Sequence, residues 1–247
     1  MRLTIVNVSH SIHATEFHAA VTALRRQVSD DFQPAWNISA ILRGITHNLA
    51  SKAPIEGVHD ALIYLGDSSQ DPTTGVEGAL GYHSTNHKDI PYGFVYLDIC
   101  AEYGEEWTTT LSHEVLELLG DPSAAVTVSG PDPRKPTRHV QFDLEVCDPT
   151  QGDSYVIDDV RVSNFVTPAY FGKPGGPPAT NFLKLKLNPF GVRPGGYFQY
   201  EDGKSVHQVN GKEAQAVLAR RTEARKLMGL GRRNTRRAAR LKGKRLP

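Results

Sequence analysis

The chain has 247 residues, 39% of them hydrophobic and 22% charged, with 22 Gly, 16 Pro, two Cys and a formal net charge of +1. This balance excludes collagen-like, disulfide-stapled and wholly disordered chains, and no apolar run approaches the roughly 18 to 20 residues of a membrane-spanning helix. The first eight residues are too short an apolar run for a signal-peptide core, so a soluble protein without membrane contact is expected, with Cys100 and Cys147 reduced.

In chain order, residues 3–8 form a short apolar run that suits a buried strand. Phe17, Ala20, Val21, Leu24 and Val28 then recur at helical spacing, with Thr15 placed to cap the first turn and Asp30 and Asp31 marking the end. Four strands follow over residues 36–45, 59–65, 76–83 and 92–100, bounded by Pro34, Pro54, Gly66-Asp67, Asp71-Pro72 and Pro91. The nearly continuous apolar stretch 60–65 belongs in the middle of a sheet, whereas Gly78 and Gly81 place the 76–83 strand at an edge. A second helix runs from about 105 to 119 and stops at Gly120-Asp121-Pro122, where Gly suits the left-handed position after a helix. Beyond it come strands at 138–146, a hairpin over 155–165 turning at Asp158-Asp159, and strands at 181–187 and 196–200. The expected class is α+β, with segments 1–122, 123–211 and 212–247 as its parts.

The second helix carries the residues with chemical potential. At 100° per residue, Trp107, Leu111, Val115, Leu118 and Leu119 form an apolar stripe, while His113 and Glu117, four apart, project together from another side. Imidazole nitrogen and carboxylate oxygen both suit zinc, and one helical turn lets both reach a single ion. Glu114 lies around the helix from that pair, in position to take a proton from a water on the ion.

The segment His113-Glu114-Val115-Leu116-Glu117 resembles the His-Glu-x-x-His signature of zincin metallopeptidases, with Glu117 in place of the second histidine. The preceding order of elements is similar to the zincin upper subdomain, a mixed twisted sheet whose edge strand holds extended substrate beside the active-site helix. The resemblance implies a metallopeptidase, with His113 and Glu117 as ligands, Glu114 as base and a peptide or protein as substrate. It departs from the metzincin pattern, whose next ligand would fall on Ser123 and whose methionine turn has no counterpart, since the only methionines are Met1 and Met228.

A third ligand is expected from downstream. A strand period of two sends Phe142, Leu144 and Val146 to one side and Asp143, Glu145 and Cys147 to the other. Glu145 is the preferred ligand, in an arrangement that resembles gluzincins, with Asp121 and Asp148 as alternatives. Zn²⁺ is the expected ion, and an added Asp would admit manganese or calcium. Tyr170 is a candidate donor to a tetrahedral oxyanion, as in many zincins, or else an aromatic packing anchor. His83 and His87 form a second possible metal pair on a loop, and His10 and His13 a weaker one.

Charge divides along the chain. Residues 212–247 hold 13 Lys/Arg against Glu213 and Glu223, a net +11 that leaves −10 for residues 1–211. Residues 214–228 are alanine-rich and helix-prone, and the arginine pairs in 229–247 suit contact with nucleic acid phosphates or another acidic partner. The absence of aromatic residues there makes such contact electrostatic and salt-dependent. Two functions follow as expectations: a cytoplasmic metal-dependent peptidase, or a catalytically weak zincin-like structural protein docked by its tail into a nucleoprotein or viral assembly.

Overall fold

A computed structural model describes residues 1–48, 55, 57, 59–68, 81–85 and 90–212. The basic tail beyond Lys212, the start of the strand expected at 76–83, and His87 lie outside these described residues. Strand β1 (Arg2–Asn7) buries Leu3, Ile5 and Val6 completely and is flanked by two parallel neighbours, β2 (Ile41–Thr46) and β3 (Ala61–Gly66). β5 (Pro91–Tyr96) joins β3 in parallel, and β4 (Gly81–Thr85) closes the sheet antiparallel to β5, giving the order β2-β1-β3-β5-β4. β3 thus occupies the centre and β4 an edge, as their apolar and glycine contents predict.

The first helix does not stop at its acidic pair. Helix α1 (Ala14–Arg26) continues as a π-helical turn, Gln27–Phe32, into α2 (Gln33–Trp36), and the chain turns away only at Asn37, whose φ is 55°. Burial outweighs the stop signal here. Val28 and Phe32 are buried with Leu24 in one core, Phe32 meets Phe165 edge-on with ring centroids 5.3 Å apart, and Asp31 accepts a hydrogen bond from the Tyr155 hydroxyl at 2.6 Å. The strand expected from residue 36 therefore begins at Ile41, and Thr15 is not the cap, since His13 holds that position. The strand expected over 92–100 likewise ends at Tyr96, where α3 (Leu97–Glu102) begins.

The second predicted helix is α4 (Trp107–Gly120). After it, β6 (Thr127–Asp132), β7 (Lys135–Asp143), β10 (Tyr197–Glu201) and β11 (Val206–Asn210) form an antiparallel sheet in the order β11-β10-β7-β6. β8 (Ser154–Ile157) and β9 (Val160–Ser163) make the predicted hairpin, and Asp158 and Asp159 both have positive φ (48° and 65°), the requirement of a type I′ turn. Two expectations fail. The strand expected at 181–187 reduces to a single bridge between Val166 and Asn181, and β7 ends three residues before the expected limit of 146. The described helices are mixed with three sheets in an α+β arrangement, and none is long and apolar enough to cross a membrane.

One hydrophobic core runs from Leu3 and Ile63 through Leu111, Val115 and Leu118 to Val146, Phe165 and Phe171. Helix α4 is consequently enclosed, packing against β4 and β5 on one side and β9 on another. A buried polar knot locks it in place. The Ser112 hydroxyl donates to Gln27 Oε1 at 2.7 Å and accepts from the Ser163 amide at 2.9 Å, while Gln27 Nε2 donates to the Ser163 carbonyl at 2.9 Å. Ser112→Ala leaves the Gln27 oxygen and the Ser163 amide without that partner, so it should destabilise the fold by about 1 to 3 kcal/mol, read as a lower urea midpoint at unchanged slope. An unchanged midpoint would remove the knot from the account of how α4 is held.

Candidate metal centre

His113 and Glu117 face the same side of α4, as one-turn spacing requires, with His113 Nε2 3.2 Å from Glu117 Oε1. The same nitrogen is 3.2 Å from Asp148 Oδ1. Two backbone amides, those of Cys147 and Asp148, each donate to Glu117 Oε1 at 3.3 Å, so the downstream segment is tied to the helix through the carboxylate it approaches. Gly120 makes that approach possible. A Cβ there would sit 3.0 Å from Val146 Cγ1, tighter than side chains ordinarily pack. Its role is close contact inside the last helical turn rather than the expected left-handed stop, since Asp121 is the residue that ends α4, with φ −141°.

The downstream acid brought to His113 is Asp148, in place of the preferred Glu145. The reason lies in where β7 stops. The alternation that puts Glu145 on the acidic side holds only while the strand lasts, and past Asp143 the chain bends towards a 3₁₀ turn at Asp148–Thr150. Glu145 belongs to neither group of converging ligand atoms among the described residues, whereas Cys147 does, its Sγ lying within 4.8 Å of ligand atoms of both His113 and Glu117. Asp121 is committed elsewhere: it accepts from the Ser123 hydroxyl at 2.8 Å and the Val126 amide at 2.7 Å, organising the turn after α4. Tyr170 takes the packing role. Its buried hydroxyl donates to the Gly191 carbonyl at 2.7 Å and its ring lies against Phe171 and Phe190, which leaves the donor engaged.

Glu114 points to the other side of the motif, towards β4. Its carboxylate lies against Gly81, where a Cβ would fall 2.7 Å from Oε1, and its Oε2 is 3.5 Å from His83 Nδ1. His83 is also 3.9 Å from Glu117 Oε2. Sequence spacing does not reveal this arrangement, because His83 is 31 residues from Glu114 and reaches it only through the antiparallel turn of an edge strand over the helix. The usable signal is the expected position of that strand beside the motif helix. His10 and His13 are exposed and belong to neither group of converging ligand atoms.

Electrostatics follow from burial. Burial alone would lower the His113 pKa, but the Glu117 and Asp148 carboxylates raise it well above the ordinary imidazole value. The Cys147 thiol is pushed far up, first by burial and then by Glu117, so it stays neutral unless a cation displaces its proton. An imidazole and carboxylates converging in a buried site match the nitrogen and oxygen donors that zinc takes. Compared with known proteins, the chain matches no family model, no curated protein and no solved structure.

A cation reaches His113 Nε2 only after the proton leaves, and the raised pKa extends that competition above the usual imidazole range. Zn²⁺ affinity measured by competition with a chelator should therefore climb about tenfold per pH unit between the ordinary imidazole pKa and the raised one, and flatten beyond it. An affinity already level across neutral pH would show that His113 is not a ligand.

Proposed function

We propose that this protein is a metal-dependent hydrolase acting on extended peptides, with His113, Glu117 and Asp148 holding a divalent cation and Glu114 serving as general base. The observation that carries the reading is the His113 nitrogen set 3.2 Å from one oxygen of each of two buried carboxylates, next in sequence to a further buried carboxylate, Glu114, whose Oε2 has no hydrogen-bond partner among the described residues. A divalent cation in that position would polarise a scissile carbonyl and acidify a coordinated water. Zinc suits the nitrogen and oxygen donors, and the two carboxylate ligands would make it a weaker Lewis acid than a two-histidine set, which also admits manganese.

The chain's own groups divide the work. Glu117 is oriented by the two amides it accepts from, so its carboxylate faces His113 without searching rotamers. Glu114 is wedged against Gly81 with Oε2 available to take a proton, and burial excludes competing water. A peptide substrate is supported by β4, which is the antiparallel edge of its sheet and lies alongside α4, because an extended chain can add to such an edge through main-chain hydrogen bonds. This juxtaposition resembles the zincin upper subdomain.

The deep burial of His113, Glu117 and Asp148 favours one other reading, since closed metal sites are characteristic of structural ions. In that case the cation braces the junction between α4 and the downstream segment, and the basic tail supplies the function by docking onto nucleic acid or another acidic partner.

One pair of variants separates these. Glu114→Gln should lower peptide hydrolysis by about 10² to 10⁴-fold while cation content stays near one per chain, and His113→Ala should abolish both. Hydrolysis of a peptide library, read by mass spectrometry, checks the first, and elemental analysis the second. Full activity in Glu114→Gln would reject the mechanism, and a bound cation without any cleavage would favour the bracing reading.

A further inference from the structure

Glu117 turns its two oxygens to two different places. Oε1 meets His113 and the amides of 147 and 148, and Oε2 lies 3.9 Å from His83 Nδ1, which is itself 3.5 Å from Glu114 Oε2. The His83, Glu114 and Glu117 side chains are only 4, 8 and 5% exposed, so this second group is withdrawn from water. Such burial normally demands hydrogen bonds. Yet Glu114 Oε2 and His83 Nε2 have none among the described residues. The spacing is informative: 3.5 and 3.9 Å are long for a hydrogen bond but close to the separation of about 3.4 Å between ligands that each lie about 2.1 Å from a shared tetrahedral ion.

We propose that His83 Nδ1, Glu114 Oε2 and Glu117 Oε2 form a second divalent-cation site, bridged to the first by the Glu117 carboxylate. The inference rests on the reading above only for the identity of the first site and the role of Glu114. Charge bears on it: a first divalent cation leaves one of the three negative charges of Glu114, Glu117 and Asp148 uncompensated, which attracts a second cation, and with both bound the three carboxylates and two ions carry +1. Gly81 allows the carboxylate of Glu114 to lie beside β4 and so completes the geometry. Because Glu114 cannot both ligate the second ion and accept a proton through the same oxygen, filling this site removes the base from the hydrolytic reaction. Occupancy of one site therefore supports hydrolysis, and occupancy of both suspends it.

The test is Zn²⁺ stoichiometry of the full chain, by equilibrium dialysis and elemental analysis, for wild type, His83→Ala and His113→Ala, with folding checked by circular dichroism and His83→Gln used to keep the side-chain volume should the alanine variant unfold. Two ions per wild-type chain, reduced to one in the His83 variants, is the expected result, with hydrolysis greatest at one equivalent and falling as the second binds. One ion in wild type that is lost in His113→Ala but kept in the His83 variants overturns the second site and leaves the proposed hydrolase standing. Loss of a single ion in the His83 variants with retention in His113→Ala keeps the site and overturns the hydrolase centre. No bound ion in any form overturns both, and activity that rises while the second equivalent binds contradicts the shared use of Glu114.

Discussion

The carboxylate of Glu117 is the constraint around which the centre is built. An anion carried into the middle of a protein is tolerated only when donors or cations surround it. Here the donors come from the chain itself: the amides of Cys147 and Asp148 reach Oε1, and His113 approaches the same atom. Meeting that need fixes several other features. The segment after β7 must leave its strand and bend back to the helix, Gly120 must lack a side chain so that Val146 can close in, and α4 must be held against rotation, which the buried Ser112, Gln27 and Ser163 contacts accomplish.

The architecture brings a second set of groups to the adjacent face of the same helix, with Glu117 common to both. A sheet of parallel strands ends in one antiparallel strand, β4, and this reversal carries residues 81–85 back across α4. Gly81 and His83 are two apart and so share a face of the pleat. One yields space to the Glu114 carboxylate and the other presents a nitrogen to it. The site is therefore bounded by the sheet on one side and by the 144–148 segment on the other, with the helix supplying the residues between.

Much of this was legible from residue spacing and some was not, for identifiable reasons. The pairing of His113 with Glu117 follows from helical geometry alone, because both lie within a single uninterrupted helix where rotation per residue is fixed. The central position of β3 and the I′ hairpin at Asp158-Asp159 follow from similarly local rules. The acid that approaches His113 is Asp148, one of the alternatives, and strand alternation does not single it out because alternation has no meaning once a strand has ended. Beyond β7 the amides of Cys147 and Asp148 turn to a buried carboxylate 30 and 31 residues earlier, a contact that no local pattern records. The π-helical turn is hidden from local pattern for a related reason, since tertiary burial of Val28 and Phe32 overrides the polar signal of Asp30 and Asp31. Sequence spacing pairs His83 with His87 on a loop, whereas its partners are on a helix that only the sheet topology brings near.

The raised pKa of His113 connects these observations. Burial works against the imidazolium, yet Glu117 and Asp148 more than offset it and raise the His113 pKa. That direction reports the same property a metal would exploit: buried negative charge focused on one nitrogen. A structural ion pair would satisfy that charge with a fixed arginine or lysine, as Asp153 does with Arg193 elsewhere in the chain. Among the described residues two histidines, His113 and His83, lie within 4 Å of the Glu114, Glu117 and Asp148 carboxylates, and an imidazole that gives up its proton offers a lone pair to a cation in exchange. Imidazoles converging on buried carboxylates are suited to exchange a proton for a cation, which is what makes this cluster a candidate metal centre.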